Sequence, residues 1–218
     1  MTVSAPLMAW ALEHDIVILH TNDIHCGIND NIGFAGLAQI KKDALARTPN
    51  VALVDAGDAI QGAPIGKLSR GLAVVDIMNY LGYDFCIPGN HEFDYGMDRF
   101  LELVPLQRAG YYCANFVYAG NNKQVLPGYK IMQYEDTKVA FVGASTPESL
   151  TTSTPTFFQN EKGKYIYSFC EDKTGNKLYK QLQKNVDKAR KDGADYVFIV
   201  GHLGMDGTTP QWSRRKRC

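Results

Sequence analysis

The chain has 218 residues, enough for one large domain with a sizeable core. Hydrophobic residues make up 45% and charged residues 21%, the balance of an ordinary soluble globular chain. Lys plus Arg and Asp plus Glu are equal at 23 each, which argues against a general nucleic-acid or membrane-surface binder, since either needs a basic excess. An anionic substrate would therefore need positive charge from another source, and bound metal ions are one.

The elements alternate. Asp15–His20 is a β-rich apolar run suited to a buried strand. Phe34, Leu37, Ile40, Ala44 and Leu45 recur at helical spacing through 33–47. Val51–Gly57 reads as a second strand, Leu72–Leu81 as a second helix, Asp84–Pro88 as a third strand and Met97–Arg108 as a third helix. This order predicts an α/β fold with a mostly parallel sheet covered by helices. Tyr111–Phe116 then reads as a short strand. Tyr129–Tyr134 and Lys138–Val142 flank Glu135 to Thr137 as a hairpin, and Pro147–Asp172 reads as a Thr-rich, aromatic, lid-like excursion. A last helix over Asn176–Lys191 buries Leu178, Leu182 and Val186, with Gly193 as its stop, and the strand Asp195–Val200 follows.

The ends carry less pattern. Pro6–Leu12 is apolar but far short of the ~20 residues of a membrane span, and it lacks the basic start of a signal peptide. The five cysteines, Cys26, Cys86, Cys113, Cys170 and Cys218, show no CxxC spacing and read as free thiols. The basic run 213–218 has no apolar partner and suggests a chain that stops in mid-fold.

Polar groups fit for metal follow four of the strands: Asp23 and His25, then Asp58, then Asn90, His91 and Asp94, then His202. Parallel strands would gather these residues at one sheet edge, where open α/β sheets place their sites. On extended chain Asp23 and His25 would face the same side. Imidazole plus carboxylate suits Zn, Mn, Fe or Co better than an all-oxygen Ca or Mg cage. Asp58, between the Asp23/His25 pair and the Asn90/His202 pair, is the candidate bridge between two cations. Asp94, three residues after His91, is placed to fix that imidazole's tautomer and favour its protonated form.

These motifs carry a resemblance. Ile18–His25, Gly57–Gly62 and Gly89–Gly96 resemble the 5′-nucleotidase branch of the calcineurin-like metallophosphoesterases, which also holds 2′,3′-cyclic-nucleotide phosphodiesterases and UDP-sugar hydrolases. After Asp58 this chain has Ala59 to Gly62 where protein phosphatases carry Asp-Arg-Gly, which disfavours a phosphoprotein substrate. The resemblance implies a four-layer α/β/β/α sandwich over 15–212, preceded by an extension at 1–14 and followed by a tail foreign to the family. It implies two divalent cations, one on Asp23 and His25, one on Asn90 and His202, with Asp58 between. It implies a His91–Asp94 catalytic dyad, with Asn90, His91 and Asn115 near a nucleotide or other small phosphate ester. It also implies an exported or surface-attached parent protein. A Gly-His-x-His element and a base-binding domain are expected beyond the His202 segment, so the chain reads as truncated and its activity as weak and unselective; an inert metal- or phosphate-binding fragment is the alternative.

Overall fold

A computed structural model of the chain describes residues 14–204. The apolar start at 6–12, the basic run at 213–218 and Cys218 lie outside the described residues. In chain order the elements are β1 (Val17–Thr21), α1 (Gly33–Leu45), β2 (Val51–Asp55), α2 (Pro64–Ser69), α3 (Leu72–Leu81), β3 (Phe85–Cys86), α4 (Met97–Leu103), β4 (Val117–Tyr118), β5 (Tyr129–Tyr134), β6 (Thr137–Ser145), α5 (Ser149–Thr152), β7 (Tyr167–Ser168), α6 (Asn176–Lys191) and β8 (Tyr196–His202).

The strands form two sheets, as the resemblance implied, where element order alone suggested one mostly parallel sheet. β1, β2 and β3 form a parallel sheet in that order. β8 belongs to a second sheet, ordered β5-β6-β8, in which β5 and β6 form the expected hairpin and β8 runs parallel to β6. A small ribbon of β4 and β7 completes the strands.

Side-chain alternation assembles the layers. In β2, Ala52 and Val54 face the second sheet while Leu53 faces the helices. In β6, Val139 and Phe141 meet Ala52, Val54 and Phe85 between the sheets, and Val142 and Ala144 meet Leu178 and Leu182 of α6 on the far side. Phe34, Leu37, Val75, Met78 and Phe100 of α1, α3 and α4 cover the first sheet. The result is the α/β/β/α sandwich, and burying a side chain such as Phe141 contributes about 1.5–3 kcal/mol.

Local chemistry sets the boundaries. Gly82, at φ 69°, ends α3 in the left-handed conformation that a glycine adopts without strain. Pro105 stops α4 near Leu103, short of the expected Arg108, because it brings no N–H to the helix ladder. Asp172 accepts from the N–H groups of Asn176 (3.1 Å) and Lys177 (2.8 Å) and so caps α6 from outside. Ile40 and Leu45, expected on the apolar face of α1, are exposed instead.

The strand expected at Tyr111–Phe116 does not form. Tyr112 N–H donates to Cys86 O in the first sheet (2.8 Å), and Ala114 N–H donates to Gly143 O in the second (2.8 Å). The segment crosses between sheets, so it continues neither. The excursion at 147–172 is more structured than a loop. It holds α5, a 3₁₀ turn at Pro155–Phe158 and β7, and it buries Phe158 and Phe169 against Phe93 with ring centroids 5.1 and 5.6 Å apart.

Candidate metal centre

The site forms where loops leave the C-terminal ends of β1, β2 and β3 and meet the end of β8. The first two loops are laced together by backbone hydrogen bonds. Ala56 N–H donates to Thr21 O (2.7 Å), Asp23 N–H to Gly57 O (3.0 Å), His25 N–H to Asp58 O (2.9 Å) and Cys26 N–H to Ala59 O (3.0 Å). The chain here is not extended as expected. Asp23, His25, Cys26 and Asp58 have φ of 53°, 47°, 59° and 58°, in the left-handed region. That conformation costs a non-glycine residue about 1–2 kcal/mol and persists where surrounding bonds over-determine it. Three of these four residues are predicted ligands, so the strain sits where the chemistry would be. The β2 and β3 loops also touch, since a Cβ on Gly57 would lie 2.4 Å from Gly89 N.

Asp58, almost fully buried, is the centre. Its Oδ2 lies 3.2 Å from His202 Nε2 and 3.9 Å from His25 Nε2, and Asp23 Oδ1 is 3.9 Å from His25 Nε2. Two groups of three result, Asp23–Asp58–His202 and His25–Asp58–His91, each with ligand atoms within 4.8 Å of one another. Asp23 thus lies beside His25, as expected, and also groups with His202 across Asp58. Asn90 lies half-buried on the same turn as His91.

The imidazoles are oriented from behind. His25 Nδ1 donates to Gln61 O (3.2 Å) and His202 Nδ1 donates to Ala56 O (2.9 Å). Both Nε2 atoms are thereby directed at Asp58, the arrangement by which carbonyls fix the tautomer of a metal-ligating histidine. His91 Nδ1 donates to Asp94 Oδ2 (2.6 Å), its ring meets that of His25 edge-on at 5.1 Å, and Ser153 Oγ donates to Asp94 Oδ1 (3.2 Å).

Electrostatics match this geometry. Burial alone would raise the Asp58 pKa, but the His202 hydrogen bond and the His91 N–H outweigh it and hold the carboxyl below its usual range. Burial opposes charge on His202 as well, yet the Asp58 hydrogen bond and charge lift that imidazole to about 9. His91 is raised by Asp94 against the pull of burial. Cys26, beside His25, is pushed by burial to about 11, so it is a packed thiol and not a thiolate ligand. Buried carboxylate and tautomer-fixed imidazoles make a donor set that fits divalent cations of the Zn or Mn kind.

Asp23, His25, Asp58, His91, Asp94 and His202 thus converge, and Asn115 does not. Asn115 is fully buried, its Nδ2 donating to Ser145 O (2.7 Å) and Phe169 O (2.9 Å) and its Oδ1 accepting from Ser145 N–H (3.0 Å). Its amide is spent on the scaffold, and Ser145 in turn donates to Pro88 O beside the site. Ser153 escaped sequence reading because only the fold brings the excursion back to Asp94.

Residues 16–217 match the calcineurin-like phosphoesterase family. The chain belongs to that family. It is 30% identical to a 5′-nucleotidase from Rattus norvegicus over 231 residues, covering 94% of the chain and 37% of the relative. It is 26% identical to a 2′,3′-cyclic-nucleotide 2′-phosphodiesterase/3′-nucleotidase from Haemophilus influenzae, over 87% of the chain and 31% of the relative. Among solved structures, a 5′-nucleotidase precursor from Thermus thermophilus superposes with a TM-score of 0.72 at 25% identity, over 87% of the chain and 37% of that protein. The chain therefore spans little more than a third of the nucleotidases it matches.

Proposed function

We propose that this metallophosphoesterase holds two divalent cations and hydrolyses phosphate monoesters, with nucleoside 5′-monophosphates as the substrates of the whole protein. The observation that carries the reading is Asp58, whose buried carboxylate faces two imidazoles that are each tied through Nδ1 to a backbone carbonyl. Asp23, His25, Asn90 and His202 would hold the two cations between them, and Asp58 would be shared. Cations held there supply neutralising charge for phosphoryl oxygens and a water made acidic enough to attack near neutral pH.

The protein's own part is orientation and proton handling. The Asp94 carboxylate holds the proton on His91 Nδ1 and favours the charged ring. His91 Nε2–H can then donate to a phosphoryl oxygen or to the departing ester oxygen. A cleft of about 800 Å³ between the open edges of the two sheets reaches Asp23 and His202, and its walls include Phe141, Phe198 and Ile199.

The test is phosphate release from 5′-AMP, 2′,3′-cyclic AMP and UDP-glucose by the Mn-loaded protein. Turnover of 5′-AMP and simple monoesters supports the reading, and no turnover of any ester despite bound metal sinks it. The Haemophilus relative favours a second reading, cyclic phosphodiester cleavage, which preferential turnover of 2′,3′-cyclic AMP would establish. No described helix is long and apolar enough to cross a membrane. We place the parent protein outside the cytoplasm, on the resemblance to exported nucleotidases; expression from its natural upstream sequence without export would overturn that placement.

A further inference from the structure

A second carboxylate lies directly beneath the first. Glu92 is fully buried on the turn that follows Asn90 and His91. Its Oε2 accepts from the N–H groups of Asp58 (2.7 Å) and Gly89 (2.6 Å), and its Oε1 accepts from Ala59 N–H (2.8 Å) and Ile60 N–H (3.4 Å). Three successive N–H groups of the β2 loop thus converge on one carboxylate, a backbone nest of the kind that binds anions. Here the anion is a side chain of the β3 loop.

The bracing is reciprocal. Asp58 Oδ1 accepts from His91 N–H (2.7 Å), so each loop's carboxylate is bound by the other loop's backbone. That leaves Asp58 Oδ2 facing His25 and His202. Asp58 is also the ligand candidate at φ 58°, and the nest is what its left-handed backbone creates. The backbone bonds described above join β1's loop to β2's, and the Glu92 and Asp58 carboxylates join β2's to β3's.

We propose that Glu92 is the positioning residue of this centre, fixing Asp58 and the Asn90–His91 turn in their ligand geometry before any cation arrives. The inference rests on the metal-centre reading given above. It assigns Glu92 no contact with cation or substrate. Its oxygens accept from four N–H donors, and its effect passes through Asp58 and Asn90.

Glu92→Gln keeps the shape but replaces one acceptor oxygen with an NH₂ group aimed at N–H donors. Calorimetric titration of the protein with Mn²⁺ alone should show at least a tenfold loss of affinity in this variant. Leu182→Ala, on the buried face of α6, is the control for general destabilisation and should keep its Mn²⁺ affinity. If Glu92→Gln folds and binds Mn²⁺ within twofold of the unmodified protein, the inference is wrong. If the unmodified protein binds no Mn²⁺, the metal-centre reading itself has failed. Hydrogen exchange in the unmodified, metal-free protein decides the matter should the variant not fold. The amides of Asp58 and Gly89 should be protected as strongly as that of Leu53 in β2, and exchange at open-loop rates would overturn the inference.

Discussion

The two sheets supply the centre in different ways. The first contributes Asp23, His25, Asp58 and the Asn90–Asp94 turn from loops bound to one another by backbone hydrogen bonds and by crossed carboxylates. The second contributes His202, the last residue of a strand that pairs on one side only among the described residues and leaves Phe198 and Ile199 almost half exposed. What ties the sheets together at this end is small: His202 to Ala56 O, His202 to Asp58, and Ser145 to Pro88 O. One half of the centre is therefore set by its own framework. The other half depends on a single imidazole, and substitutions in the two halves should fail in different ways.

The largest effect belongs to the residue both halves share. Asp58→Ala removes the carboxylate from both candidate ligand groups and leaves His202 Nε2 and the His91 N–H without that partner. Metal affinity should fall by at least about 100-fold, the upper end of what changes behind a ligand cause, and turnover should vanish. Elemental analysis after Mn loading reads the first and phosphate release the second. Retention of two ions by this variant would show that Asp58 is not a shared ligand.

His91→Ala asks the complementary question within the first half. If His91 acts as a proton donor, kcat should fall by about 10²- to 10⁴-fold with the metal count unchanged. A drop in metal count would instead make His91 a ligand, which its grouping with His25 and Asp58 allows geometrically.

The same two halves explain what the sequence disclosed. Strand-then-polar-residue patterns pointed to Asp23, His25, Asp58, Asn90, His91, Asp94 and His202, because a ligand must follow a strand to reach a common edge. They could not give the backbone. Asp23 and His25 look like neighbours on one face of an extended chain, yet the cross-loop bonds coil both into left-handed φ. Nor could periodicity say that β8 joins a different sheet from β1 to β3, since parallel pairing leaves the same apolar run in either place. Asn115 misled for a related reason: an Asn after an apolar run reads as an edge residue, whereas crossing between the sheets buries it completely. The helix α2 was missed because its six residues carry little periodicity, although Pro64 at its first turn was a usable signal.

The second half should show itself through pH. The metal-free His202 pKa lies near 9, above the ordinary 6.5, because the Asp58 bond and charge outweigh burial. Below about 9 a cation must displace that proton, so apparent Mn²⁺ affinity should rise about tenfold per pH unit from 7 to 8 and level off near 9. The metal-free protein should show the opposite trend from this group. A pKa raised on folding contributes stability that is fully present below about 6.5 and lost as pH climbs through about 9. Calorimetric titrations across pH, and thermal melts without metal, measure the two trends. His202→Ala should flatten both, and equal slopes in the variant would assign them to another group.

The smallest expected effect tests whether the excursion belongs to the first half. Ser153 reaches Asp94 through one hydrogen bond of 3.2 Å, from a segment whose Phe158 and Phe169 pack on Phe93. Asp94 already holds His91 at 2.6 Å with its other oxygen, so Ser153 constrains the carboxylate's rotation rather than its presence. One such bond is worth about 0.5–1.5 kcal/mol, and Ser153→Ala should lower kcat by roughly two- to tenfold while KM and metal count stay fixed. The framework of loops alone positions the dyad if kcat does not move. A fall of the predicted size would make the excursion a working part of the site, held there by its aromatic packing, and would extend the preformed half of the centre from three loops to four.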